Sequence, residues 1–67
     1  MNAHLKAIKL LKSEGFSLKR KAAKHDIYYN EKYKIMISLK RHDFNENDLH
    51  YIEKEIALGK INERSKQ

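Results

Sequence analysis

The sequence predicts a small α+β domain: a two-layer sandwich in which two helices cover one face of a three-stranded antiparallel sheet, in the order αβββα. Three observations carry this. Apolar residues recur at helical spacing near both ends of the 67-residue chain. Period-two alternation fills the middle. The only two glycines, Gly15 and Gly59, each follow a helix-like segment.

The first element spans residues 3 to 14. Leu5, Ile8 and Leu11 mark one face, with Leu10 beside them, and Lys6, Lys9 and Lys12 form the neighbouring stripe. Gly15 is placed to stop this helix in a left-handed conformation. Phe16 and Leu18 then alternate with Ser17 and Lys19, as in a half-buried strand. His25 to Tyr29 reads as a second strand, rich in Ile and Tyr. Asn30-Glu31-Lys32 reads as a tight turn, because asparagine tolerates left-handed backbone angles. Tyr33, Ile35, Ile37 and Leu39 alternate with Lys34, Met36, Ser38 and Lys40, the clearest strand signal in the chain. Asn45 can cap the last helix, with Asp48 in the capping-box position. Leu49, Ile52 and Ile56 define its apolar face, and Gly59 is expected to end it. The chain therefore reads as one domain over residues 1–60, followed by a frayed polar tail over 61–67.

Composition narrows the classes of function. The chain has no cysteine, which excludes disulfides and thiolate metal sites and fits a reducing cytoplasm. No segment approaches the ~20 apolar residues of a membrane span, and the N-terminal residues do not read as a secretory signal. The formal charge is +6 and is unevenly spread. Residues 1–24 hold seven basic side chains and one acid, whereas residues 25–67 hold eight of each. A one-sided basic surface points to a polyanionic partner. The simpler reading is a solubilising lysine face.

Residues 10–30, LLKSEGFSLKRKAAKHDIYYN, resemble the HicA-type toxins of bacterial toxin–antitoxin systems. Gly15, Phe16, Leu18, Arg20, His25 and Tyr28 fall at the family's spacing without a gap. Downstream, LKRHDFNENDLHYI is similar to the family's Pro-Arg-His segment and the helix after it, through Arg41, His42, Phe44, Leu49 and Ile52. The resemblance implies a double-stranded-RNA-binding-like fold. It implies an mRNA interferase that needs no metal or small-molecule cofactor and cleaves single-stranded mRNA in the cytoplasm. It also implies a HicB-like antitoxin as partner. Two positions depart from the pattern: Ala23-Lys24 stand where the family has Gly-Ser, and Lys40 stands where it has proline. Alanine lacks the backbone freedom of glycine, while Lys24 offers a cation to phosphate.

His25 is the candidate catalytic residue. RNA is cleaved without metal when its own 2′-hydroxyl attacks the adjacent phosphate, which needs a proton acceptor and a proton donor. Imidazole serves either role near neutral pH. Lys24 and Arg20 are the candidate stabilisers of charge developing on phosphorus. Lys19, Lys21, Arg41 and His42 complete the candidate RNA-binding set, and His42 as a second imidazole would complete an acid–base pair with His25. Lys6, Lys9 and Lys12 would add attraction at longer range. As bare residues, a strand histidine and a strand-end Arg-His are more often structural. Strand parity puts His25, Ile27 and Tyr29 on one face and Asp26, Tyr28 and Asn30 on the other, without saying which faces the core. Two other readings stand beside the nuclease: a non-catalytic RNA-binding module of the same fold, and a basic domain that docks an acidic protein.

Overall fold

The computed structural model describes the backbone of residues 2–65 and the side chains of residues 2–61. The elements are α1 (Ala3–Ser13), β1 (Ser17–Lys21), β2 (His25–Asn30), β3 (Ile35–Lys40) and α2 (Glu46–Ser65). The sheet is antiparallel in the order β1-β2-β3. The predicted αβββα order and α+β class therefore hold.

Helix α1 starts where Asn2 Oδ1 accepts a hydrogen bond from the Leu5 amide at 2.8 Å. It ends at Gly15, whose φ of 93° is the expected left-handed angle. Its buried face is Ala3, Ala7 and Leu11, not Leu5, Ile8 and Leu11 as the spacing suggested. Leu5 is 48% exposed and Ile8 is only partly buried. The alanines let α2 pack closely, so the contact stripe is rotated toward the small residues.

The core joins Ala7 and Leu11 of α1 to Leu49, Ile52 and Ile56 of α2 and to Tyr28, Ile37 and Leu39 of the sheet. Leu11 and Leu39 are fully buried, each worth about 1.5–3 kcal/mol. Tyr28 pairs with Ile37 and Asp26 with Leu39. Directly paired residues share a face, so Asp26, Tyr28 and Asn30 face the helices. His25, Ile27 and Tyr29 point to the opposite face, where all three stay partly exposed.

Strand β1 departs from expectation. Phe16 is buried just before it, but every residue of the strand is exposed, including Leu18. β1 is an edge strand beyond the reach of the helices, and a bulge between Leu18 and Arg20 interrupts its register. The turn after β2 also differs. It runs over residues 31–34, so β3 begins at Ile35 and leaves Tyr33 in the turn. The left-handed residue is Lys34, with φ 59°, rather than Asn30. Asn30 is 1% exposed and acts through its side chain. Its Nδ2 donates to the Glu14 carbonyl at 2.8 Å, and its Oδ1 accepts from the Tyr33 amide at 2.9 Å. One buried amide thus ties the end of α1 to the β2–β3 turn.

The capping box of α2 forms as predicted. Asp48 N–H donates to Asn45 Oδ1 at 3.2 Å, and Asn45 N–H to Asp48 Oδ2 at 3.0 Å. The expected stop at Gly59 does not occur, for α2 continues to Ser65. Gly59 is buried, and a β-carbon there would collide with Ile35 Cδ1. The glycine is a notch for a sheet side chain, not a terminator. Helical backbone thus runs through five of the seven tail positions, 61–67, and residues 66 and 67 lie outside the described residues. Among the described residues no helix is long and apolar enough to cross a membrane.

Candidate active site

The β1–β2 connection is Ala22, Ala23 and Lys24, and it ends at His25, the first residue of β2. The Ala22 amide donates to the His25 carbonyl at 2.8 Å, closing the hairpin. Among the described non-glycine residues, only Lys34 and Asp43 have positive φ. Ala23 and Lys24 therefore sit in ordinary backbone conformations, and this turn is built without the freedom of a glycine.

Arg41 holds the turn from behind. Its guanidinium donates to the carbonyls of Ala22 and Ala23, both at 2.6 Å, and to the His25 carbonyl at 3.2 Å. It also meets Asp26 Oδ1 at 2.6 Å. Three carbonyls and a carboxylate occupy the planar fork, which suits arginine and not lysine. Arg41 is thus engaged with its own chain, and its contribution to a site is to fix where Lys24 and His25 stand.

A cleft of about 400 Å³ opens between this turn and the loop after β3. It is lined by Lys24, His25, Lys40, His42 and Asp43. His25 and Lys40 are direct cross-strand partners, so their β-carbons are neighbours. The two also line a second hollow of about 330 Å³ with Ser38, Phe44, Asp48, Tyr51 and Ile52. Lys40 Nζ lies 3.6 Å from Asp48 Oδ2. Lys24, His42 and Asp43 are exposed, while His25 and Lys40 are half-buried. Two imidazoles and two ammonium groups thus border one space, an arrangement able to donate and accept protons beside a bound anion.

The remaining candidates lie on or near β1. Arg20 pairs with Ile27 on the open face, and Lys21 lies opposite Asp26 in the register. Lys19 Nζ sits 4.8 Å from the centre of the Tyr29 ring, a cation–π contact at the far end of the sheet from His25. The α1 lysines are on the helical layer, where Lys6 pairs with Glu46 at 3.5 Å. The structure therefore brings Lys24, His25 and His42 together, turns Arg41 inward, and spreads Lys19, Arg20 and Lys21 along the edge strand.

Lys40 and Asp43 were missed as site residues. Lys40 was legible only with the hairpin register in hand. Asp43 has a left-handed backbone, φ 55°, and shares the cleft with Lys24, and a lone aspartate before phenylalanine gives no sequence signal for either. Among the described residues, no group of three or more His, Cys, Asp or Glu is placed to hold a metal ion.

No protein-family model, curated protein or solved structure matches the chain.

Proposed function

We propose that this protein is a small endoribonuclease of the HicA toxin type. The observation that carries the reading is the convergence of His25, His42, Lys24 and Lys40 on one cleft. The resemblance of residues 10–30 and the αβββα order support it.

In the proposed reaction an imidazole takes the proton of an RNA 2′-hydroxyl. The 2′-oxygen bonds to phosphorus, the bond from phosphorus to the 5′-oxygen breaks, and a second proton donor protonates the leaving oxygen. His25 takes one of these roles, and His42 is the candidate for the other. Lys24 and Lys40 stabilise the charge on the non-bridging oxygens. The products are a 2′,3′-cyclic phosphate and a 5′-hydroxyl. A HicB-like antitoxin would be the protein partner that covers this cleft.

A non-catalytic RNA-binding module of the same fold is the second reading. It is favoured by Ala23-Lys24, which keeps a phosphate-binding cation while departing from the catalytic pattern.

The test is incubation of the purified protein with mixed single-stranded RNA in EDTA, beside His25→Ala. Cleavage by the wild type alone supports the nuclease. Intact RNA with both proteins, together with a salt-sensitive mobility shift, supports the binding module.

A further inference from the structure

The sheet has one covered face and one open face, and the open face has a consistent chemistry. Among the strand residues the only acid is Asp26, which points to the helices and is neutralised by Arg41. The open face carries Lys19, Arg20, Ile27, Tyr29 and Met36, and it runs directly into His25. Arg20 and Lys21 are exposed and make no ion pair among the described residues. Met36, paired with Tyr29, is 60% exposed. A surface that is cationic, partly apolar and aromatic complements a polyanion whose bases are unpaired.

Tyr29 and His25 lie four residues apart on the same face of β2, about 13 Å at ~3.3 Å per residue. A hollow of about 510 Å³ adjoins the Tyr29 ring, lined in part by Ser17, Lys19, Asn30 and Lys32. Glu14 and Glu31 also border it. Glu14 is held by Lys60 at 2.7 Å. These carboxylates offer acceptors to an exocyclic base amine but repel phosphate, so they mark the end of the cationic track.

We propose that single-stranded RNA lies across the open sheet face, with one base stacked on Tyr29, and reaches the His25 cleft along β2. This deepens the RNA-directed reading and rests on it. Lys19 covers the Tyr29 ring in the free protein. An arriving base takes its place on the ring, and the ammonium moves to the adjoining phosphate. Duplex RNA has no free base for the ring and is disfavoured. The helical layer, despite Lys9 and Lys12, takes no part.

The test uses a short labelled 2′-O-methyl RNA, which lacks the attacking hydroxyl and so survives the titration. Binding of the single strand and of its duplex is measured at low salt by fluorescence anisotropy. The single strand is expected to bind more tightly than the duplex. Tyr29→Thr, which keeps β-propensity on an uncovered face, should weaken single-strand binding by about five- to 100-fold. Arg20→Gln should also weaken it, and by more than Lys9→Gln with Lys12→Gln together, which remove only longer-range attraction. Circular dichroism of each variant confirms the fold. Wild-type affinity in Tyr29→Thr and Arg20→Gln, with loss in the α1 variant, overturns the sheet-face path and leaves the nuclease reading intact. Equal affinity for duplex and single strand likewise overturns the path alone. No binding of either RNA overturns both readings.

Discussion

Arg41 and Asp26 form the shortest ion pair among the described residues, with Nη1 2.6 Å from Oδ1. The pair is mostly withdrawn from water, the side chains being 28% and 14% exposed. The same guanidinium caps the Ala22 and Ala23 carbonyls. A contact between the loop after β3 and the first residues of β2 thus decides how rigidly Lys24 and His25 are presented.

Replacing Arg41 should therefore loosen the site as well as the fold. Arg41→Ala leaves a carboxylate and two carbonyls without their donor, at a cost of about 2–4 kcal/mol. Arg41→Lys restores the charge but not the fork, and should recover only part of the loss. Urea denaturation measures the stability. Hydrogen exchange of the Ala22 amide, which bonds the His25 carbonyl, reports the loosening of the turn. Unchanged exchange in Arg41→Ala would mean that the turn holds itself.

Asn30 should be one of the costliest polar positions to truncate. Asn30→Ala leaves the Glu14 carbonyl and the Tyr33 amide unpaired and opens a small void. The expected loss is about 2–4 kcal/mol. Asn30→Asp should not rescue it, because a carboxylate would face the Glu14 carbonyl. Thermal unfolding of the two variants beside the wild type checks both statements.

Gly59 and Ile35 should behave as a coupled pair. Alanine at a helix interior is ordinarily favoured by ~1 kcal/mol over glycine. At Gly59 the added methyl runs into Ile35 Cδ1, the free end of a flexible, partly exposed side chain. Turning that end aside offsets part of the helix gain, so Gly59→Ala is expected to be near neutral. Ile35→Val removes the colliding methyl and should recover the gain. A double-mutant cycle with no coupling would show that the helix shifts freely to make room.

Tyr28 supplies a pH dependence at the alkaline end. Burial, with a smaller contribution from the charge of Asp26, raises its phenol above the ordinary value of 10.0. The folded state then holds the Tyr28 proton at a pH where the unfolded chain releases it. The corresponding stability is complete below about pH 10 and declines as pH rises through the folded value. Tyr28→Phe should flatten that decline, and tyrosinate absorbance should show one of the four tyrosines titrating last. Parallel alkaline unfolding of wild type and Tyr28→Phe would contradict this.

The element order was legible because each signal was local. Asn45 and Asp48 announced their helix start, and Gly15 announced a helix end through the one conformation glycine supplies cheaply. Gly59 misled for the opposite reason, since its role is a contact with Ile35, 24 positions earlier. Leu5 misled because Ala3 and Ala7 carry little hydrophobic weight in a pattern yet admit the closest helix packing. At the candidate site, Lys24 and His25 were singled out through the resemblance of residues 10–30. The Arg41 fork and the His25–Lys40 pairing depend on hairpin register, which no short window contains.

The edge strand β1 carries a second consequence. It has an unpaired backbone edge, and Lys19, Arg20 and Lys21 are three consecutive cations along it, with a bulge in their midst. Charges and bulges are how natural sheets prevent a neighbouring molecule from adding a strand. The lysines and arginine that would receive a nucleic acid are thus also the chain's guard against self-association. Neutralising all three would bare the edge as well as remove the charge, so such a variant should be more prone to associate with its own kind.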